Sequence, residues 1–344
     1  MRVLARPAAS SLNAYTNILY RHVRQLGIRV DSYQFARAVF GQYEIFHVHW
    51  PESVFNHGLL SARVTTEALL LAMKRLKQRG TKLIWTVHNL GAHDRRFPLQ
   101  EAAFWRRFVP LLDGYFALSE TGKHAAQQRF PALRGKAGFT IPHPHYRGCY
   151  PDQVSREQAR SALGLPQACR VLVFVGTIAD YKNVPALGSA FSALAGDDLR
   201  LVIAGRPRTE QIRRGLDQLA ARDSRILLRP DHVADSELQN YLRAADVVVL
   251  PYQEILNSGS AVLALSFDRP VLMPRLGAAE DLERLMGSTW VQLYSGHLEP
   301  ALLEQALSVA QALPEHTAGE HLEQLSPDLV GRATAAAYRE LVSV

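Results

Sequence analysis

Cysteine is scarce in this chain of 344 residues, where only Cys149 and Cys169 occur. Two cysteines exclude a disulfide framework and a zinc site with four cysteine ligands, so we expect a reducing cytoplasm. Long apolar runs are also missing, because stretches such as LVIAG and VVVL are far shorter than the roughly 18 apolar residues of a spanning helix. The opening segment MRVLARPAASSLNAYTN lacks the continuous apolar core of a secretory signal. These absences predict a soluble globular protein.

Acidic residues are sparse in the first part of the chain. Residues 1–150 contain 21 Lys and Arg against 8 Asp and Glu, whereas residues 151–344 contain 18 against 24. The asymmetry predicts two domains with different partners, one of them anionic. No zinc-finger or aromatic ribonucleoprotein motif accompanies the basic residues, so we expect no nucleic acid. An anionic membrane surface or a phosphorylated substrate fits the charge, and a merely solvated basic face is the alternative.

Short apolar runs alternate with helical patterns along the chain, which is typical of parallel sheets covered on both faces. We therefore predict an α/β fold with two Rossmann-like doubly wound domains facing a central cleft. The domains span residues 1–148 and 149–325, and the Pro-rich segment IPHPHYRGCYP at 141–151 connects them. The predicted strands are 2–5, 44–49, 82–87, 114–118, 138–141, 170–176, 199–205, 225–228, 246–251 and 270–274. The predicted helices of the first half include 14–26, 59–78, 99–111 and 120–129.

Three segments of the second half place cations or small residues where predicted strands end. The segment GTIADYKN starts where an apolar strand stops and carries a lysine into the following loop, and IAGRPR adds two arginines after another strand. In LPYQEILNSGSAVLALSFDRPVLMP, small residues stand where a helix must begin, so backbone N–H groups can face an anion. An ordinary helix cap at Asn257 or Ser258 is the alternative. These strand ends predict a diphosphate site formed by Gly176, Lys182, Arg206, Arg208, Asn257, Ser258, Gly259 and Ser260.

The same segments resemble the GT-B glycosyltransferases of family four and its relatives. The matching motifs are HVHWPE at 47–52, TVHNL at 86–90, ALSETGKH at 117–124, GTIADYKN, VIAGRPR, VADSELQNYLRAADVVVLPY at 233–252 and DRPVLMP. The resemblance implies a C-terminal domain that binds a nucleotide-sugar and an N-terminal domain that holds a saccharide or polyprenyl-diphosphate-linked acceptor. It implies hexosyl transfer without a cofactor, and a final helix at 326–344 that crosses back onto the first domain. HVHWPE and TVHN are similar to bacterial β-mannosyltransferases of exopolysaccharide assembly, which implies GDP-mannose.

Two positions depart from the donor motifs of that family. Thr177 stands where an arginine is common, ahead of the retained Lys182. The family's two glutamates, separated by seven residues, fall at Ile255 and Leu263, with Glu254 one residue away. Because the second glutamate holds the ribose in retaining enzymes, its absence favours an inverting reaction. We include Thr177 and Glu254 among the expected donor contacts.

An inverting transfer needs a base that takes the proton of the acceptor hydroxyl. Four candidates follow predicted strands of the first domain: Asp94 is the first choice, Glu52 the second, and His93 and His88 complete the set. A carboxylate suits the role because it is ionised at neutral pH. The alternative for Asp94 is a solvated ion pair with the adjacent arginines. The histidines of this domain could indicate a metal, but no carboxylate lies at a diagnostic spacing, so we expect none.

Two basic helices of the first domain suit an anionic membrane surface. In FWRRFVPLL at 104–112 and KRLKQR at 74–79, apolar residues neighbour arginine and lysine, which predicts peripheral association with the inner face of the plasma membrane. Core packing of Phe104, Phe108 and Leu111 is the alternative for the first segment. Two other functions stay open: a nucleotide-sugar epimerase of the same fold, which needs no acceptor, and a non-catalytic scaffold subunit.

Overall fold

The computed structural model describes residues 1–10, 13–56, 58–92, 96–313 and 318–343. The chain divides into two compact units, Met1–Pro144 with Leu325–Val344, and His145–Gln324. Each unit contains one six-stranded parallel sheet with helices between its strands. The predicted α/β class and the two doubly wound sheets are therefore confirmed.

The sheet of the first unit has the strand order β2-β1-β3-β4-β5-β6. Its central strands β3 and β5 are buried at every residue and β4 at every residue but Lys82, which agrees with their mainly apolar sequences. The strands are β1 (Arg2–Arg6), β2 (Arg29–Ser32), β3 (Ile45–His49), β4 (Lys82–Val87), β5 (Gly114–Ala117) and β6 (Ala137–Thr140). The helices are α1 (Ala14–Gln25), α2 (Phe35–Phe40), α3 (Leu59–Gln78), α4 (Pro98–Phe108), α5 (Glu120–Arg129) and the last helix of the chain, α14 (Pro327–Ser343).

Helix α14 packs against α1 in the core of this unit. The contact is close because Gly331 leaves room for His22, whose Cβ would lie 2.7 Å from a Cβ at that position. Tyr338 is fully buried and stacks beside Phe116 of β5. The end of the chain thus contributes to the core that supports the first sheet.

The sheet of the second unit has the order β12-β11-β10-β7-β8-β9. Its strands are β7 (Arg170–Val175), β8 (Leu199–Ala204), β9 (Ile226–Arg229), β10 (Val247–Val249), β11 (Val271–Pro274) and β12 (Val291–Tyr294). The helices are α6 (Arg156–Leu163), α7 (Val184–Ser192), α8 (Glu210–Arg222), α9 (Leu238–Ala244), α10 (Gly259–Ser266), α11 (Ala279–Met286), α12 (Pro300–Gln311) and α13 (Gly319–Leu322).

The strands missing from the sequence prediction, β2 and β12, are both edge strands. In RVDS and VQLY, buried positions are mixed with half-exposed polar ones, so neither reads as an apolar run. The helix predicted at 99–111 ends at Phe108, because Pro110 changes the last turn into a 3₁₀ helix. Within the described ranges, no helix has the length and apolar character that crossing a membrane requires.

Strand order marks one switch point in each sheet. The chain begins each sheet with an inner strand and builds outwards on both sides of it, so the order reverses between β1 and β3 and between β7 and β10. In open parallel sheets, ligands bind beyond the carboxyl ends of the strands at such a point. The residues that follow β1, β3, β7 and β10 are therefore the candidates for ligand contacts.

Candidate functional site

Lys182 lies at the switch point of the second sheet. It ends a 3₁₀ turn after β7, and its Nζ atom stands 5.8 Å from the ring centre of Phe174 in β7 and 5.6 Å from that of Tyr252 after β10. A Cβ placed on Gly176 would be 3.7 Å from the same nitrogen. Burial, and next the charge of Arg208, lower the pKa of the Lys182 ammonium to about 8. The structure thus holds a poorly solvated cation between the two strands.

The loop after β10 leads from Tyr252 to the start of α10. Tyr252 is buried, which raises the pKa of its hydroxyl, and the side chains of Ser258 and Ser260 hydrogen-bond to it. Ser258 is the N-cap of α10, since its Oγ accepts a hydrogen bond from the backbone N–H of Ala261 at 3.0 Å. Ser258 therefore caps the helix α10, which is the alternative that the sequence left open for this residue. Through Tyr252, the positive end of α10 at Gly259 lies in the same cluster as Lys182.

The loop after β8 is joined directly to the loop after β7. The backbone N–H of Ile178 donates to Arg206 O at 2.9 Å, and that of Arg208 donates to Ile178 O at 2.8 Å. Gly205 allows this approach, because its φ is +140° and a Cβ there would lie 2.0 Å from Gly176 O. The side chains of Thr177, Arg206 and Arg208 are exposed at this edge.

The loop 252–258 is held from both sides. Gln253 N–H donates to Tyr181 O at 2.7 Å, and Ala278 N–H donates to Leu256 O at 2.9 Å. At Gly277 a Cβ would lie 2.3 Å from Ile255 O, so only glycine fits closely there. Of the predicted donor residues, the structure brings five together around Tyr252: Gly176, Lys182, Ser258, Gly259 and Ser260. Asn257 is half-buried beside them, and Glu254 is exposed at the rim.

Glu52 lies just beyond β3, at the switch point of the first sheet. Its side chain is only 6% exposed, and its Oε1 accepts a hydrogen bond from Asn89 Nδ2 at 2.9 Å. Its Oε2 is buried without a hydrogen-bond partner in the described chain. Burial raises the pKa of the carboxyl to about 7, against the weaker lowering effects of the Asn89 hydrogen bond and of Arg6 at the end of β1. Glu52 can therefore take up or release a proton near neutral pH.

His88 follows β4 and is engaged by its neighbours. Its ring stacks on Trp50 with centroids 4.0 Å apart, and its Nε2 lies 3.1 Å from Nδ1 of His49. Burial holds the pKa of His88 well below its usual value, so the ring is neutral. Trp50 itself adopts a left-handed backbone conformation with φ of 44°. These contacts favour Glu52 over His88 as a proton acceptor.

The remaining histidines of β3 are bound within the unit. His47 Nδ1 lies 2.5 Å from the hydroxyl of Tyr338 and its Nε2 lies 2.6 Å from Thr86 Oγ1, while His49 Nε2 lies 2.6 Å from the hydroxyl of Tyr20. In the part of the chain that the structure describes, no group of three or more metal-ligating side chains is assembled.

Two of the predicted bases, His93 and Asp94, lie outside the described residues. Among residues that sequence reasoning missed, Tyr252, Asn89 and Arg6 are prominent. Arg6 ends β1, and Asn89 and Tyr252 lie in the loops after β4 and β10. Their places at the carboxyl ends of strands were the signal in the sequence that could have found them. Their polar contacts with the predicted residues depend on packing between distant segments.

Comparison with known proteins identifies relatives of the whole chain. The sequence profile of a family described as "Glycosyl transferases group 1" matches residues 169–303. GDP-mannose:glycolipid 4-β-D-mannosyltransferase from Xanthomonas campestris pv. campestris is 30% identical over 339 residues, which cover 97% of this chain and 90% of that protein. Sucrose-phosphate synthase from Thermosynechococcus elongatus has a similar structure, with a TM-score of 0.70 and 16% identity over 99% of both chains. A glycosyltransferase from Rickettsia africae gives a TM-score of 0.67 at 12% identity over 99% of this chain and 98% of that one. The GT-B expectation is confirmed at the level of the fold.

Proposed function

The chain belongs to the group 1 glycosyltransferases, and from this premise we propose that it transfers mannose from GDP-mannose to a hydroxyl of a glycolipid acceptor. The choice of donor and acceptor class rests on the relative from Xanthomonas campestris, which is similar over nearly the whole chain. A β-linkage made from the α-configured carbon of GDP-mannose requires inversion. This agrees with apolar residues at the two expected glutamate positions.

The donor diphosphate binds, in this proposal, at the switch point of the second sheet. Lys182 supplies positive charge, and the first residues of α10 supply backbone N–H groups with the helix dipole behind them. Arg206 and Arg208 add charge at the exposed rim. The assignment rests mainly on the poorly solvated ammonium of Lys182, which lies near two aromatic rings and Gly176. A diphosphate would give it a counter-charge.

Glu52 acts as the general base. In the proposed step, the acceptor oxygen bonds to C1 of mannose while the bond from C1 to the diphosphate breaks and GDP leaves. The hydroxyl proton passes to Oε2 of Glu52, the buried oxygen that lacks a partner in the described chain. A carboxyl with a pKa of about 7 is well matched to such a transfer at neutral pH.

Transfer of radiolabelled mannose from GDP-mannose to a bacterial glycolipid extract tests the proposal. We expect label in the lipid fraction and GDP as the second product, with UDP- and dTDP-sugars inactive. Lys182→Ala should weaken GDP binding in calorimetry by about tenfold or more, because a charge-assisted contact is lost. Lys123→Ala, at a lysine on α5 of the first unit, is the matched control. Conversion of the nucleotide-sugar into an epimer without an acceptor would instead favour an epimerase, and binding of GDP without turnover would favour a scaffold.

We further propose that the first unit docks on an anionic membrane. On α3, the side chains of Leu60 and Val64 are 77% and 61% exposed, and Leu71 lies on the same helical face. Exposed basic residues lie on α3 and α4, and α2, which packs against α3, carries the exposed rings of Phe35 and Phe40. Apolar side chains among cations suit the surface of an acidic bilayer. Phe104 and Phe108, by contrast, are buried in the core, as the alternative held.

Co-sedimentation with vesicles of phosphatidylglycerol and phosphatidylcholine tests the docking surface. We expect binding that falls as salt rises and that is weakened in Leu60→Ser/Val64→Ser. Leu329→Ser, at a leucine of α14 that is 52% exposed, is the matched control. Equal binding to neutral vesicles, or equal binding by both variants, would contradict the proposal.

A further inference from the structure

A cavity lies in the second unit, at the amino ends of its strands. It encloses about 420 Å³, and its lining includes Asp246 and Pro270, the residues directly before β10 and β11. Lys182 and the loop after β10 lie at the carboxyl ends of the strands, and the described lining contains none of the predicted donor residues. The cavity is therefore separate from the proposed diphosphate site.

The aspartates of this cavity are already paired with arginines. Asp152 pairs with Arg243, Asp268 with Arg147, and Asp246 with both Arg156 and Arg160. The carboxylate of Glu157, at the exposed edge, accepts a hydrogen bond from Ser155 Oγ at 2.7 Å. The lining itself contains these four carboxylates and three arginines, Arg156, Arg243 and Arg269, and the other two arginines of the ion pairs lie beside it.

Arg269 is the arginine of this lining that forms no ion pair in the described chain. It lines the cavity, and its Nε is buried without a hydrogen-bond partner in the described chain. Burial, followed by the charges of Arg243 and Arg156, lowers the pKa of the Arg269 guanidinium to about 10, and Asp246 and Asp268 offset this less. The guanidinium is still protonated at neutral pH, so a poorly solvated cation lies close to two other arginines. Such a group is costly unless an anion accompanies it.

We propose that this cavity binds a phosphate group, which pairs with Arg269. The guanidinium fork matches phosphate oxygens in a bidentate contact, and Arg156 and Arg243 line the same cavity. A tetrahedral anion offers oxygens in enough directions for several arginines to donate to it, which a planar carboxylate does less well. The volume also leaves room for the organic part of a small phosphate ester.

Calorimetric titration of the full chain with inorganic phosphate tests the proposal. The Lys182→Ala background is used so that phosphate binding at the proposed donor site is weakened. We expect saturable binding that Arg269→Gln weakens by about tenfold or more, since one charge-assisted contact is removed. Arg275→Gln is the matched control, because Arg275 is an exposed arginine paired with Glu280 at 2.8 Å. If Arg269→Gln fails to fold, thermal unfolding of Lys182→Ala in phosphate against chloride of equal ionic strength gives the answer, with a rise in Tm expected.

The source of the phosphate group is distinguished by two further probes. Tighter binding of a hexose phosphate than of inorganic phosphate assigns a soluble ester, and binding to phosphatidic acid vesicles that depends on Arg269 assigns a lipid headgroup. Absence of saturable phosphate binding in Lys182→Ala, or equal binding by Arg269→Gln, would overturn the proposal.

Discussion

Replacing Glu52 with glutamine should abolish most activity and make the protein more stable at alkaline pH. The carboxyl has a pKa of about 7 in the folded chain against an ordinary value of 4.5. At roughly 1.4 kcal/mol per pKa unit, the folded chain disfavours the ionised carboxyl by about 3 kcal/mol relative to the unfolded chain. Glutamine keeps the shape and an oxygen for Asn89 but carries no charge.

The sign of the pH dependence follows from proton binding. Because the folded pKa is raised, the folded chain binds more protons than the unfolded chain between about pH 4.5 and pH 7. The contribution of Glu52 to the free energy of unfolding therefore falls as pH rises through that window and is constant above it. Glu52→Gln removes this slope, so its gain over the wild-type chain should reach about 2 to 3 kcal/mol at pH 8 and vanish near pH 4.5.

Activity should change in the opposite direction. Removal of a general base costs about 10²- to 10⁴-fold in rate, so kcat/KM for mannosyl transfer should fall within that range. The wild-type rate should rise with pH up to about 7, and the residual rate of the variant should lack that step. Initial rates and urea unfolding at pH 5 and pH 8 measure both effects, with Glu340→Gln on the exposed face of α14 as control. Wild-type kcat/KM in Glu52→Gln, or an unchanged pH slope of stability, would refute the reasoning.

Three other changes have defined outcomes. GDP affinity measured by calorimetry should fall as pH rises above about 8, where Lys182 loses its proton, and Lys182→Arg should remove that fall because arginine stays charged. Gly205→Ala should lower the unfolding free energy by about 2 kcal/mol or more in urea titration, since its Cβ would lie 2.0 Å from Gly176 O at a positive φ; an unchanged midpoint would contradict this. Arg160→Met should destabilise the chain by about 3 to 5 kcal/mol, as it removes one partner of the half-buried Asp246 carboxylate and the donor to three backbone carbonyl oxygens; a loss below 1 kcal/mol in the same titration would count against the pair.

Central strands could be predicted from the sequence because their environment is uniform. Val171 to Val175 and Leu201 to Ala204 are buried on both faces, so an unbroken apolar run is sufficient to identify them. The edge strand β2 pairs on one side only, with β1, and its Asp31 is half-exposed. Its sequence therefore resembles that of a loop, and only its ladder with β1 shows that it is a strand.

The position of the candidate site could be predicted from the order of the strands. Lys182 and Ser258 stand just after apolar strands, and the switch-point rule assigns such places to ligands. The choice among the possible bases could not be made in this way. Glu52 differs from an ordinary loop glutamate through burial and through one oxygen without a hydrogen-bond partner in the described chain, and its environment includes segments as distant as Asn89.

Buried charges in this chain fall into two kinds that differ in their hydrogen bonds. Arg160 donates to three backbone carbonyl oxygens and to one carboxylate, those of Ala244, Gln167, Cys169 and Asp246. Its hydrogen-bonding groups are satisfied, so it holds α6 to the neighbouring segments without needing a ligand. Glu52 and Arg269 each have a buried atom that finds no hydrogen-bond partner among the residues that the structure describes. Folding alone would favour replacing such groups with apolar ones, because an unpaired buried polar atom lowers stability. A ligand that supplies the missing partner restores the balance, which is why the same criterion selects the proposed base in the first unit and the proposed phosphate cavity in the second.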